Sequence, residues 1–104
     1  MNTQKIMGLL GIAKKAGMVV SGAENVWDAA RTGKIKLVLL SEDASENTKK
    51  RVINFCKYYN KKLCTLPLTK EEIGKAIGLN VTAVIGITDK GISEAIIKNT
   101  GVGI

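Results

Sequence analysis

Histidine is absent from this 104-residue chain. That removes the commonest general base and the commonest metal ligand. Two cysteines occur, Cys56 and Cys64, and their spacing matches no metal-binding pattern. Each reads as a small buried apolar residue. The sequence does not decide between two thiols and one disulfide, and an unbridged pair suits a reducing cytoplasm. Aromatic residues make up 4% of the chain, which argues against base stacking as its main mode of binding. No apolar run approaches a membrane span. The apolar stretch from Ile6 to Ala13 is cut short by Lys14-Lys15, so it does not read as a signal peptide either.

Acidic residues are also few. Lys and Arg number 16 against 9 Asp and Glu, for a formal charge of +7. That excess favours a polyanionic partner: RNA, DNA or an anionic membrane surface. Charge alone does not choose among them, and many small proteins are basic without binding any. Catalysis finds little support. No nucleophile stands beside a base, and no glycine-rich phosphate loop is present. The acidic pairs Glu42-Asp43 and Glu71-Glu72 do not read as acid–base pairs, since neighbouring acids on a helix point to different faces and those in a turn more often cap. No cofactor or metal is implied.

What the chain does contain is a regular alternation of helical and strand patterns. Apolar content of 45% suits one globular domain with one modest core. Ile6, Leu9, Leu10 and Ala13 follow helical spacing, which predicts a first helix over Gln4 to Ala16, closed by Gly17. Met18-Val19-Val20 reads as a short strand. Ala23, Val26, Trp27 and Ala30 predict a second helix that Gly33 closes. Ile35 to Leu40 is a buried strand, and Ser41 to Ser45 a loop. Val52, Phe55, Cys56 and Tyr59 share the inner face of a third helix. Leu63 to Leu66 is a strand ended by Pro67. Thr69-Lys70-Glu71-Glu72 is a capping box opening a short helix that Gly78 stops. Ala83 to Thr88 is the fourth strand. Asp89 caps a last helix with Ile92, Ala95 and Ile96 facing inward, and Thr100 to Ile104 reads as a frayed tail. Strands alternating with helices predict a three-layer α/β/α sandwich.

The candidate site lies where the first strand turns into the second helix. In Ser21-Gly22-Ala23-Glu24-Asn25 a glycine permits close approach, and a helix start offers unpaired N–H groups. Ser21 and Glu24 stand at capping-box spacing, so Ser21 is expected to cap the helix while Glu24 reaches back. That role is compatible with binding. Asn25 both donates and accepts, and can therefore read a base edge. Trp27 shares helical spacing with Ala23 and Ala30, which places it in the core; exposed, it would favour a protein interface.

Several segments resemble the kink-turn-binding ribosomal-protein family, which includes archaeal and eukaryotic large-subunit proteins and small bacterial relatives of the YlxQ type. Gly22-Ala23-Glu24-Asn25-Val26 resembles that family's Gly-x-Asn-Glu-x-x-Lys motif. Thr32 to Asp43 resembles its strand and acidic turn after helix two. Ile73-Gly74-Lys75-Ala76-Ile77-Gly78 resembles its Leu-Gly-x-Ala-x-Gly segment. The resemblance implies an α/β/α sandwich around a small four-stranded mixed sheet and an RNA partner, typically a sharply bent stem with sheared G·A pairs. It implies a ribosomal RNA target, ribosomal proteins as further partners, no membrane, no cofactor and a monomer in the cytoplasm. It places Ser21, Gly22, Ala23, Glu24, Asn25 and Asp28, then Lys70, then Leu79, Asn80, Val81 and Thr82 near RNA. Leu79 and Val81 would pack against an extruded nucleotide. Lys14, Lys15, Lys34, Lys36, Lys49, Lys50, Arg51 and Lys70 would attract phosphates.

The chain departs from the motif at four positions. Glu24 stands where the family often has Asn, and Asn25 where it often has Glu. Asp28 replaces a Lys, and Ser21 a basic residue. A guanine O6 needs a donor, which an ionised Glu24 cannot supply, so Asn25 would have to take that part. The same fold also hosts protein-interaction modules, which is the alternative reading.

Overall fold

The structure is a computed structural model and describes residues 1–101. Nine elements alternate along the described residues: α1 (Thr3–Lys15), β1 (Val19–Ser21), α2 (Ala23–Arg31), β2 (Leu37–Leu40), α3 (Glu46–Tyr58), β3 (Leu63–Thr65), α4 (Lys70–Ala76), β4 (Val84–Ile87) and α5 (Lys90–Thr100). The strands form one sheet in the order β1-β4-β2-β3. β4 runs antiparallel to both β1 and β2, while β2 and β3 are parallel. The sheet is therefore mixed, as expected.

β2 and β4 are central, and every residue in them is buried. Their side chains alternate between two faces, the period-2 consequence of the pleat. Leu37, Leu39, Ile85 and Ile87 point into a cluster with Ile6 and Leu10 of α1, Ile73 of α4 and Ile96 of α5. Val38, Leu40 and Val84 point the other way, onto Val26 and Ala30 of α2 and Val52, Phe55 and Cys56 of α3. This is the three-layer α/β/α sandwich. Each fully buried Leu or Ile contributes roughly 1.5–3 kcal/mol relative to exposure.

Local details depart from the sequence reading. Helix α1 starts one residue early because Asn2 accepts the Lys5 N–H and caps it. β1 takes in Ser21, which pairs with Ile85, so the strand consumes the residue expected to cap α2. The N-cap is Gly22 instead, with no side-chain hydrogen bond. Thr100 belongs to no frayed tail: it ends α5, is buried, and its hydroxyl donates to the Ile97 carbonyl at 2.6 Å. Gly101 follows in the left-handed conformation as C-cap. The rest of the expected tail, 102–104, lies outside the described residues. Trp27 is not core; it is 38% exposed. The capping box at α4 is present in full: Glu72 N–H donates to Thr69 Oγ1 at 3.1 Å, and Thr69 N–H to Glu72 Oε1 at 3.0 Å. Cys56 and Cys64 are free thiols. Burial pushes the Cys56 thiol up to about 11 and raises that of Cys64 as well.

Candidate nucleic-acid interface

Strand direction decides which loops meet. β1 and β2 both run antiparallel to β4, so Ser21 and Leu40 at their ends lie beside Ile85 and Val84 at its start. The turn into α2, the loop after β2 and the segment before β4 therefore share one end of the sheet. Backbone hydrogen bonds extend this union. Gly22 N–H donates to the Val84 carbonyl at 2.9 Å, and Ser41 N–H to the Ala83 carbonyl at 2.8 Å. Thr82 N–H donates to the Lys70 carbonyl at 3.0 Å, and Glu42 N–H to the Leu68 carbonyl at 2.9 Å.

Gly22 sits at φ 92° and ψ 142°, a conformation that costs other residues strain. This φ lets the chain leave β1 and enter α2 without a spacer. Each of the other described helices has a side chain capping its first turn: Asn2, Ser45, Thr69 and Asp89. Helix α2 has none, so its first-turn amides are left to solvent or to a ligand. Asn25 folds back, its Nδ2 donating to the Ser21 carbonyl at 3.0 Å. One N–H and the amide oxygen of Asn25 remain for other partners. Glu24 does not reach back to the N-cap. Its carboxylate pairs with Arg51 of α3, so this acid carries its own counterion.

The facing segment is positioned by a glycine. A Cβ built on Gly74 of α4 would lie 2.9 Å from Asn80 carbonyl atoms and from Val81 N. Only glycine lets the 79–82 backbone lie so close on the helix. The Leu79 N–H donates to the Gly74 carbonyl at 2.8 Å and secures the start of the segment. Leu79 and Val81 are left 40% and 51% exposed, an apolar lip facing water. Asn80 is also exposed, whereas Thr82 is buried, with its hydroxyl donating to the Val84 carbonyl at 3.2 Å. Thr82 thus supports the lip and is not part of its surface.

Asp43 joins these pieces from the loop after β2. Its carboxylate accepts the Lys70 N–H at 2.9 Å, bridging to the first residue of α4. Partial desolvation pushes its pKa up. The Lys70 amide, the Ser41 hydroxyl, its own amide and the Lys70 charge together outweigh that and hold the carboxyl below its usual range. The Ser41 hydroxyl is buried and acts from outside good hydrogen-bond geometry.

The structure thus brings together Ser21, Gly22, Ala23, Glu24, Asn25, Lys70, Leu79, Asn80, Val81 and Thr82. Ser21 is a half-buried strand residue and Ala23 packs against the core, so both shape the edge from beneath. Asp28 lies over one turn along α2 and pairs with Arg31 at 3.4 Å. The basic residues divide. Lys49, Lys50 and Arg51 on the first half of α3, with Lys70, belong to this end. Lys14 and Lys15 precede β1, and Lys34 and Lys36 precede β2, which puts them at the opposite end. There Lys36, Lys61, Lys62 and Lys90 line a shallow depression of about 370 Å³.

Sequence reasoning missed Arg51 as the partner of Glu24 and Asp43 as the bridge to Lys70. Both contacts span 27 residues, beyond the reach of local pattern. The acidic turn did signal a cap, but not which backbone it caps.

No described helix is long and apolar enough to cross a membrane. Among the described residues no group of three or more Cys, Asp or Glu is placed to hold a metal ion.

Residues 4–97 match the ribosomal protein L7Ae/L30e/S12e/Gadd45 family. The chain is 41% identical over 94 residues to the RNA-binding protein YlxQ of Bacillus subtilis, covering 86% of this chain and 89% of that protein. It is 39% identical over 93 residues to the RNA-binding protein YlxQ of Enterococcus faecium, covering 89% and 88%. Among solved structures, a protein of unknown function from Bacillus halodurans superposes with a TM-score of 0.85 at 34% identity, covering 90% of this chain and 94% of that one. The 15.5 kD RNA-binding protein of Giardia lamblia shares the fold, with a TM-score of 0.78 at 16% identity over 95% of this chain and 84% of that one. The chain belongs to the ribosomal protein L7Ae/L30e/S12e/Gadd45 family, in a bacterial branch like that of YlxQ.

Proposed function

We propose that this protein is a non-catalytic, cytoplasmic RNA-binding protein that acts as a monomer on a folded, kink-turn-like RNA, as part of or close to the ribosome. One observation carries the reading. The uncapped start of α2 and the apolar 79–82 lip lie side by side, joined through the Gly22 to Val84 hydrogen bond. A bent stem offers complementary features: a phosphate or base edge for the free amides and Asn25, and an extruded nucleotide for Leu79 and Val81. Lys49, Lys50 and Lys70 supply attraction to the flanking strands. The formal charge of +7 and the relatives named as RNA-binding proteins support the same partner. Glu24 does not repel the RNA at full strength, because Arg51 answers its charge.

The test is a titration with a bent stem containing tandem G·A pairs and with a plain duplex of equal length, at two salt concentrations. The bent stem should bind more tightly at both. If about four to six phosphates are contacted, log affinity should fall with log salt at a slope of roughly −3 to −5. Equal affinities would reduce the interaction to general electrostatics. A half-exposed Trp27 is the observation that favours the alternative, a protein-interaction module. Binding to neither RNA would select it.

A further inference from the structure

The chain has four aromatic residues, and all of them line one open depression between α2 and α3. Its volume is about 500 Å³, within the roughly 300–1,000 Å³ of small-ligand sites. Trp27 comes from α2. Arg51, Asn54, Phe55 and Tyr58 come from α3 and Tyr59 from its C-cap, spaced three, four, seven and eight residues after the first, which is one helical face. Phe55 is buried and Tyr59 half-buried, so these two form a floor continuous with the core. Trp27 and Tyr58 are different. Tyr58 is 82% exposed, and neither ring belongs to the hydrophobic cluster on that side of the sheet.

The rings are ordered. Trp27 and Phe55 are near parallel, at 14° with centroids 6.1 Å apart. The Arg51 guanidinium lies 4.9 Å from the Trp27 centroid while it also bonds Glu24. Tyr58 stands edge-on to Tyr59 at 88° and 4.8 Å, which braces an exposed ring without covering it.

We propose that the depression holds an unpaired nucleobase of the RNA strand that flanks the folded element bound at the start of α2. This rests on the RNA-binding reading above. Three features select a base over a peptide. The lining offers flat aromatic surface for stacking, the Asn54 amide to donate and accept at a base edge, and the planar Arg51 guanidinium, held in place by Glu24. Lys49, Lys50, Arg51 and Lys57 on α3 outnumber its single acid, Glu46, so the surroundings suit a phosphate-bearing strand. Arg51 ties the depression directly to Glu24 in the first turn of α2, and Trp27 follows Glu24 by three residues, about 4.5 Å of axial rise. A strand leaving the α2 start therefore passes the aromatic depression next. The small number of aromatics argued against stacking as the main mode of binding; concentrated in one place, they suffice for a single base.

Trp27 is the only tryptophan, so all tryptophan emission comes from the depression, and the blunt stem gives the baseline for binding at the neighbouring α2 start. The experiment compares one bent stem with blunt ends against the same stem carrying a short single-stranded extension at either end. For the wild-type protein, an extension at one end should quench Trp27 emission and tighten binding about tenfold. Tyr58→Ala and Asn54→Ala, both at exposed positions, should abolish that gain and leave blunt-stem affinity unchanged. If the blunt stem binds and neither extension alters affinity or emission, the depression takes no base, though the RNA edge stands. The proposal also fails if Tyr58→Ala weakens both RNAs equally. Binding of neither RNA overturns the underlying reading too. A Trp27 response to a peptide and not to RNA would assign the depression to a protein partner.

Discussion

Gly74→Ala isolates the contact that sets the apolar lip. The new Cβ would lie 2.9 Å from Asn80 carbonyl atoms and Val81 N, where ordinary contact begins at about 3.4 Å. The neighbour is backbone, not the end of a flexible side chain, so it cannot swing aside. It is also tied at both ends, through Leu79 N–H to the Gly74 carbonyl at 2.8 Å and Thr82 N–H to the Lys70 carbonyl at 3.0 Å. The lip must retreat by about half an ångström and stretch these bonds. Overpacking of this kind costs roughly 1–3 kcal/mol. Alanine in place of glycine inside a helix returns about 1 kcal/mol. The net expectation is a loss of about 1 kcal/mol, or a fall in Tm of roughly 4–8 °C for a domain of this size. Gly8→Ala in α1 is the control, because no atom lies within 4 Å of its added Cβ. Only the helix term acts there, so its Tm should rise by a similar amount. Thermal unfolding followed by circular dichroism measures both. Binding of a bent RNA stem should weaken about tenfold in Gly74→Ala and stay unchanged in Gly8→Ala. If both variants gained stability alike, the close approach of α4 and the lip would be refuted. A destabilised Gly74→Ala with normal RNA affinity would leave the approach intact and remove the lip from the interface.

Gly22→Ala should lose about 1–3 kcal/mol in denaturant unfolding, since the cost lies in φ 92° and not in space, with the nearest outside atom 3.8 Å away. Asp43 has its pKa held below the ordinary 3.8 in the folded state, so its stabilising contribution is full above that value. It disappears as pH falls through the lower folded value, and Asp43→Asn should flatten this part of the acid-unfolding profile. The Cys56 thiol, raised to about 11 by burial, should resist alkylation in the native protein at pH 8 and react fully once the chain is unfolded.

The layers of this fold are legible in the sequence because they depend on local pattern. Short continuous apolar runs such as Leu37 to Leu40 alternate with helical spacings such as Val52, Phe55 and Cys56, and both signals survive folding. The Thr69 to Glu72 cap is legible for the same reason, since its partners are three residues apart. The readings of Ser21 and Trp27 failed because a distant strand or helix competed for the residue. Ser21 has the chemistry of a cap, but pairing with Ile85 draws it into β1. Trp27 has the spacing of a core residue, yet α3 supplies Phe55 and Arg51 against its ring and leaves part of it in water. Thr100 has the composition of a tail but finds its hydrogen bond inside α5. The start of α2 was legible as a candidate site from its glycine, its open helix start and Asn25, whereas Asp28, Lys70 and the 79–82 segment came from resemblance. Their placement at one end of the sheet followed only from strand directions, and so did the removal of Lys14, Lys15, Lys34 and Lys36 to the other.

Backbone amide shifts on adding a bent RNA stem test the central idea most directly. If the α2 start and the 79–82 lip form one reading edge, the amides of Gly22 to Asn25, Lys70 and Leu79 to Val81 should shift together and saturate at one equivalent of RNA. Amides near Lys36, Lys61, Lys62 and Lys90 should stay put. Shifts confined to one of the two segments, or centred on that distant lysine cluster, would contradict the account.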